Sequence, residues 1–233
     1  MAEVYPVVHI NDELTACRQA ELALSLGADG VFLIDHVRPQ EVERLFNVHN
    51  RVSDGSAWVG VNLLGFRATA AATMLREGLR SGQLHRAPQG LWSDDAISDR
   101  SSPDVRTLLA ASNRLRNTRY FGGIAFKYTA HHTEDPELAA AQVRRYGHRV
   151  DVVTTSGPAT GREASVDKLR AMHAATWAPL AVASGVSPEN VGNYTSVVDK
   201  ILVASSVETG KYSGIFVKDR LKDMIDGAHN VGN

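Results

Sequence analysis

Cysteine is nearly absent from this chain of 233 residues: Cys17 stands alone, which excludes an internal disulfide and any zinc site built on several thiolates. Its place in a helical pattern reads as packing. No uninterrupted apolar run approaches the roughly 20 residues of a spanning helix. The opening MAEVYPVVHI has no basic stretch ahead of a long apolar core, so neither a membrane span nor a secretory signal is expected, and a reducing cytoplasm is the default setting. Net charge is also lacking. With 25 Lys and Arg against 26 Asp and Glu the formal balance is −1. That balance offers no global attraction to nucleic acid or to an anionic membrane, and no basic stripe or recognition motif supplies a local one. The nine histidines form no metal set. His131 and His132 are adjacent, no His-x-x-x-His pair has an acidic partner, and Asp94, Asp95, Asp99 and Asp104 are not spaced as a calcium loop. No metal and no cofactor is expected. Low-complexity tracts and linkers are missing too, which predicts one domain over residues 1–233.

What is present is a soluble core composition, 43% hydrophobic and 22% charged, arranged as short apolar segments alternating with helical patterns. Strands are predicted at residues 4–10, 30–35, 58–64, 90–93, 120–127, 150–155, 180–183 and 200–204. The fourth has the shortest apolar run. Helices are predicted between them: one capped by Asn11 or Asp12 and closing at Gly27, one opened by Pro39, then 67–80, 102–115 with Ser102 as cap, 136–146, one capped by Ser165, a short one opened by Pro188 and Glu189, and 217–228. Continuously apolar strands mean burial on both faces, as in a parallel sheet covered by helices. Eight such pairs favour a single (β/α)8 TIM barrel, with a flavodoxin-like open sheet as the alternative. The polar segments 81–90 and 131–135 show no apolar anchor and are expected to be mobile.

In such a barrel the strand ends converge on one pocket, so polar residues there are the candidates for chemistry. Asp35, Asp94 and Lys127 are the catalytic candidates. Asp94 and Lys127, read as lying on adjacent strands, could pair to position a general acid or base, the lysine could attack a carbonyl, or the two could form a structural pair. Asp35 could be a base, an anchor for a sugar hydroxyl, or a cap for the next helix. Asn62, with donor and acceptor, could hold a ligand hydroxyl or carbonyl. His9 at the end of the first strand is either a pocket residue or a hydrogen-bonded core group. Thr155 ends the sixth strand, and the segment 157–161, with Thr160 and Gly161, is either a ligand-covering loop or a plain turn. Ser184-Gly185 and Ser205-Ser206 follow the seventh and eighth strands, where small residues let backbone N–H groups approach a phosphate, or where Gly185 serves only a tight strand-to-helix turn.

The C-terminal third carries the most specific text: VVTTSGPATG at 152–161, LAVASGVSPENV at 180–191 and KILVASSVETGKYSG at 200–214. In that order these segments resemble the BtpA-like family of the ribulose-phosphate-binding barrel superfamily. GVNLLG at 60–65 is similar to the family's third-strand segment, and Phe126-Lys127 to its fifth-strand lysine motif. Ile34-Asp35-His36-Val37 stands where the family usually has a Glu-Asn-Phe-Gly-like run. The resemblance implies a barrel with a phosphate site, and hence an enzyme of isomerase, lyase or glycosyl-transfer type acting on a phosphorylated sugar or phosphoribosyl molecule. The partner so implied is a phosphorylated small molecule, with a homo-oligomer as a further expectation. One branch of the family is associated with photosystem I biogenesis, which implies the alternative of a non-catalytic assembly or regulatory factor.

Overall fold

Each of the eight apolar segments forms a strand in the computed structural model, which describes residues 1–230 apart from Asp54 and Ser56. The strands are β1 Glu3–His9, β2 Val31–Ile34, β3 Val59–Asn62, β4 Gly90–Ser93, β5 Arg119–Gly123, β6 Val152–Thr155, β7 Leu180–Ala183 and β8 Lys200–Val203. They pair in parallel in sequence order, and β1 closes on β8 through Glu3↔Lys200 to Pro6↔Val203, making a barrel. The helices are α1 Glu13–Ser25, α2 Val42–Val52, α3 Ala68–Ser81, α4 Val105–Ala110, α5 Pro136–Tyr146, α6 Val166–Ala174 and α7 Lys218–His229. No helix among the described residues is long and apolar enough to cross a membrane.

Because side chains alternate across a strand, each strand feeds two cores. Val31, Leu33, Val59, Val61, Val153 and Val182 face outward and pack with the helices. Tyr5, Val7, Phe32, Ile34, Trp92, Phe121, Val152 and Leu202 face inward and fill the barrel. The rings meet edge to face, with the Phe32 and Phe121 centroids 5.0 Å apart. Glycine makes room for them: a Cβ on Gly60 would lie 2.4 Å from Phe32.

Several boundaries differ from expectation, each for a local reason. The fifth strand stops at Gly123, so Lys127 lies four residues beyond it in a turn. Pro39 sits in a turn, and α2 starts only at Val42. The helix expected over 102–115 shrinks to α4, capped not by Ser102 but by Asp104, whose Oδ1 accepts from the Thr107 N–H at 2.8 Å. Ser112 and Asn113, which compete for backbone groups in turns, follow it. After β7 there is a 3-10 turn at Val191–Asn193 in place of a short helix. The two segments read as unanchored both have anchors. Leu84 is buried beside Gly78, and Arg114 holds the carbonyls of Leu79 and His85. In 131–135, Glu134 pairs with Lys168 and the His131 carbonyl accepts from Gln142.

Candidate functional site at the C-terminal rim

A cavity of about 480 Å³ opens at the C-terminal ends of the strands, floored by Val7, Ile34, Leu64, Trp92, Phe126 and Leu202. The pleat decides which strand-end residues reach it. His9 continues the inward series of Tyr5 and Val7, His36 that of Phe32 and Ile34, and Asp94 that of Trp92; all three line the cavity. Asp35 has the outward parity of Leu33 and is absent from the lining. Its Oδ1 accepts from the N–H groups of Val37 and Arg38, and its Oδ2 pairs with Arg44 at 2.6 Å. The geometry gives it the turn-capping role instead of a place against a ligand. Thr155 likewise shares the outward parity of Val153, is fully buried, and donates to the Ala125 carbonyl at 3.3 Å. Asn62 is buried and points Nδ2 to Asp94 Oδ1 at 3.4 Å, but it lines a neighbouring space of about 300 Å³ that shares Leu64 and Asp94 with the cavity.

Asp94 and Lys127 both line this cavity, from a strand end and a turn, but among the described residues no hydrogen bond or ion pair joins them, so the expected pairing is not formed. Burial raises the Asp94 carboxyl above its ordinary value, against the opposing pull of Lys127 and of the Asn62 hydrogen bond. Burial lowers the Lys127 ammonium, against the pull of Asp94. Desolvation wins at both ends, the condition under which a carboxyl holds its proton and a lysine releases one more readily. The turn carrying Lys127 is braced by Lys168, a fully buried side chain on α6. Its Nζ donates to the carbonyls of Ala125 and Ser156 and to Glu134 at 2.8–3.1 Å. The Ser156 hydroxyl in turn accepts from the Lys127 N–H at 2.8 Å.

Opposite this pair stand the loops after β7 and β8. Ser184, Gly185, Ser205 and Ser206 all line the cavity. Ser184 and Gly185 have φ of +100° and +79°, and a Cβ on Gly185 would lie 2.2 Å from the Arg162 carbonyl oxygen, so the second position requires glycine. Among the described residues, the backbone N–H groups of Gly185, Val186, Ser205 and Ser206 find no acceptor in the protein. Backbone donors left unpaired beside a cavity are free to meet an acceptor on a ligand. Side chains hold these loops in place. Asn190 accepts from Ser187 N–H and donates to the Gly185 carbonyl, the Ser206 hydroxyl donates to the Val186 carbonyl at 2.6 Å, and Arg220 holds the Ser206 carbonyl.

The rim completes the site. Thr160 and Gly161 line it: Tyr128 accepts from the Thr160 N–H at 3.0 Å, Thr160 and Tyr212 join hydroxyls at 3.1 Å, and Gly161 N–H donates to Ser184 Oγ. His36 stacks on Tyr212 with centroids 4.7 Å apart, and its imidazole is pushed down to about 4 by desolvation and then by His9. All four non-glycine residues with positive φ among those described, Ala125, Tyr128, Ser184 and Tyr212, lie in these loops. Strain of that kind gathers at ligand sites. Sequence reasoning missed Glu208, a buried carboxylate 2.7 Å from His9 Nδ1. It also missed Lys168 and Asn190. The signal for Glu208 was its position two residues past Ser206, and for Lys168 nothing distinguished it from an exposed helical lysine.

A family model described as the BtpA family matches residues 32–230. Among solved structures, N-(5'-phosphoribosyl)anthranilate isomerase from Pyrococcus furiosus is similar over 99% of this chain and 100% of its own, with a TM-score of 0.66 at 15% identity. Phosphoribosyl anthranilate isomerase from Thermotoga maritima gives 0.66 at 16% identity over 99% and 100% of the two chains. Tryptophan synthase from Mycobacterium tuberculosis gives 0.66 at 16% over 99% and 93%. At these identities the likeness is one of fold. No curated protein matches the sequence.

Proposed function

The chain belongs to the BtpA family, and from that premise we propose that it is an enzyme acting on a small phosphorylated molecule of the sugar or phosphoribosyl type. The observation that carries this reading is the wall of unpaired N–H groups at Gly185, Val186, Ser205 and Ser206, facing across one cavity the perturbed pair Asp94 and Lys127. A phosphate seated on those donors would fix one end of the ligand, and its binding energy would hold the other end against the ionisable groups. Isomerisation, carbon–carbon lyase chemistry and glycosyl transfer all use such an arrangement. The phosphoribosyl enzymes with the same fold support the substrate class without selecting the reaction.

Calorimetric titration with inorganic phosphate and a panel of phosphorylated sugars tests the anchor. Gly185→Asp is a poor probe on its own, because any Cβ there meets the Arg162 carbonyl. Ser205→Asp has the right character: it brings a carboxylate to the wall, where like charge should weaken phosphate binding by about tenfold or more. Gly82→Asp, in a distant turn with open space but a positive φ of +83°, serves as control once thermal melts show it folded. Equal binding by wild type and the Ser205 variant would remove the phosphate from this wall. A non-catalytic assembly role would show instead as cellular function surviving Asp94→Asn and Lys127→Met together.

A further inference from the structure

His9 and Glu208 lie outside the pair assigned above, yet they form a close, buried polar contact whose imidazole lines the cavity. The Glu208 side chain is wholly buried, 2.7 Å from His9 Nδ1 through Oε1, and the same oxygen accepts from the Gly214 N–H at 3.1 Å. Gly214 is held there by a positive φ of +67° and by close approach to the His9 carbonyl, 2.6 Å from where a Cβ would stand. The loop after β8 is thus folded back so that this carboxylate meets this imidazole. Glu208 Oε2 has no hydrogen-bond partner among the described residues. His9 is buried, and its ring lines the cavity with no hydrogen-bond partner on Nε2 among the described residues. His36 and Tyr212 pack edge-on against it, at 5.0 and 5.2 Å, and fix its plane.

We infer that His9 is the proton-accepting catalytic residue of this site and that Glu208 is its positioning residue, acting on a phosphorylated substrate whose carbonyl adjoins a C–H carbon bearing a hydroxyl. This rests on the phosphate-anchored reading given above. A carboxylate on Nδ1 fixes the tautomer with the proton on that nitrogen and leaves the Nε2 lone pair facing the ligand. In the step, Nε2 takes the proton from the carbon next to the carbonyl. The C–H electron pair becomes the C=C bond of an enediol, the carbonyl π pair moves onto oxygen, and the Lys127 ammonium protonates that oxygen. Reversal returns both protons and restores both side chains.

Two measurements test it. The first needs no variant: nitrogen-15 correlation spectra of the wild-type protein should show His9 protonated on Nδ1 and bare on Nε2. The opposite tautomer overturns the proposal. The second is deuterium uptake from D2O into a panel of phosphorylated ketoses and aldoses, read by mass spectrometry. Wild type should exchange at least one member. His9→Gln should lose about 100-fold or more, and Glu208→Gln about 10- to 100-fold, with Glu208→Asp recovering part and all three variants binding inorganic phosphate as wild type does. The Glu208→Gln spectrum should also show mixed His9 tautomers, which a packing role would not produce. Unchanged exchange in His9→Gln, or no exchange by wild type on any member, overturns the dyad while leaving phosphate anchoring in place. Exchange lost as expected, with phosphate bound elsewhere, upholds the dyad and sinks the anchor instead.

Discussion

Asp94 illustrates what a site residue costs the fold. Burial holds its carboxyl above the ordinary 3.8, so the folded protein binds the proton more tightly than the unfolded chain does. The sign follows from linkage. The stabilising contribution of that proton is complete below pH 3.8 and is lost as pH rises through the folded value, so above that range burial of this carboxyl is a net cost to the fold. Asp94→Asn keeps the shape and the contact with Asn62 while removing the charge. It should raise Tm at pH 7, and the advantage should shrink as the pH falls towards 3.8. Thermal melts of both proteins across that range decide it. A lower Tm for the variant at pH 7 would mean that the attraction of Lys127 outweighs desolvation.

At the scale of elements, Asn190 braces the loop after β7, the loop we propose as part of the anion wall. One side chain satisfies Ser187 N–H at 2.7 Å, the Gly185 carbonyl at 2.9 Å and Glu163 at 2.9 Å. Asn190→Ala should cost about 1–2 kcal/mol of stability. It should weaken inorganic phosphate binding by about tenfold, because the donors would no longer be held in place before the ligand arrives. Chemical denaturation and titration calorimetry read the two effects, and full-strength phosphate binding would show that the loop keeps its shape unaided. SGV-x-PENV and ASS were legible as small-residue loops following strands, and the structure brings both to the cavity. The individual side chains were less legible. Asp35 and Thr155 end apolar strands as Asp94 does, but their parity is outward, and a one-residue shift sends a side chain to the other face. His36, one residue on from Asp35, has the parity that reaches the cavity. Lys127 sits in a turn and Glu208 at an isolated bridge to Phe216, both beyond the barrel strands, where their alternation stops predicting direction.

At the scale of the whole molecule, closure of the barrel was readable because apolar segments alternating with helical patterns eight times leave few other solutions. How the interior is filled was not readable, because it depends on which residues share a layer after closure. Phe32 and Gly60 are register partners on β2 and β3, and the ring of the first occupies the space over the second. Gly60→Ala would place a methyl 2.4 Å from the Phe32 ring, deep among Tyr5, Trp58, Trp92 and Phe121, where neighbouring rings leave little room to shift. The expected cost is about 1–3 kcal/mol, typical of overpacking. Phe32→Leu alone should also destabilise, by emptying part of the same layer. If the clash is local, the double variant should be more stable than the sum of the single losses predicts, because the smaller leucine accommodates the new methyl. Denaturant unfolding of the four proteins in one cycle measures that coupling. Strict additivity would mean that Gly60 is required by the backbone of β3 and not by the ring beside it.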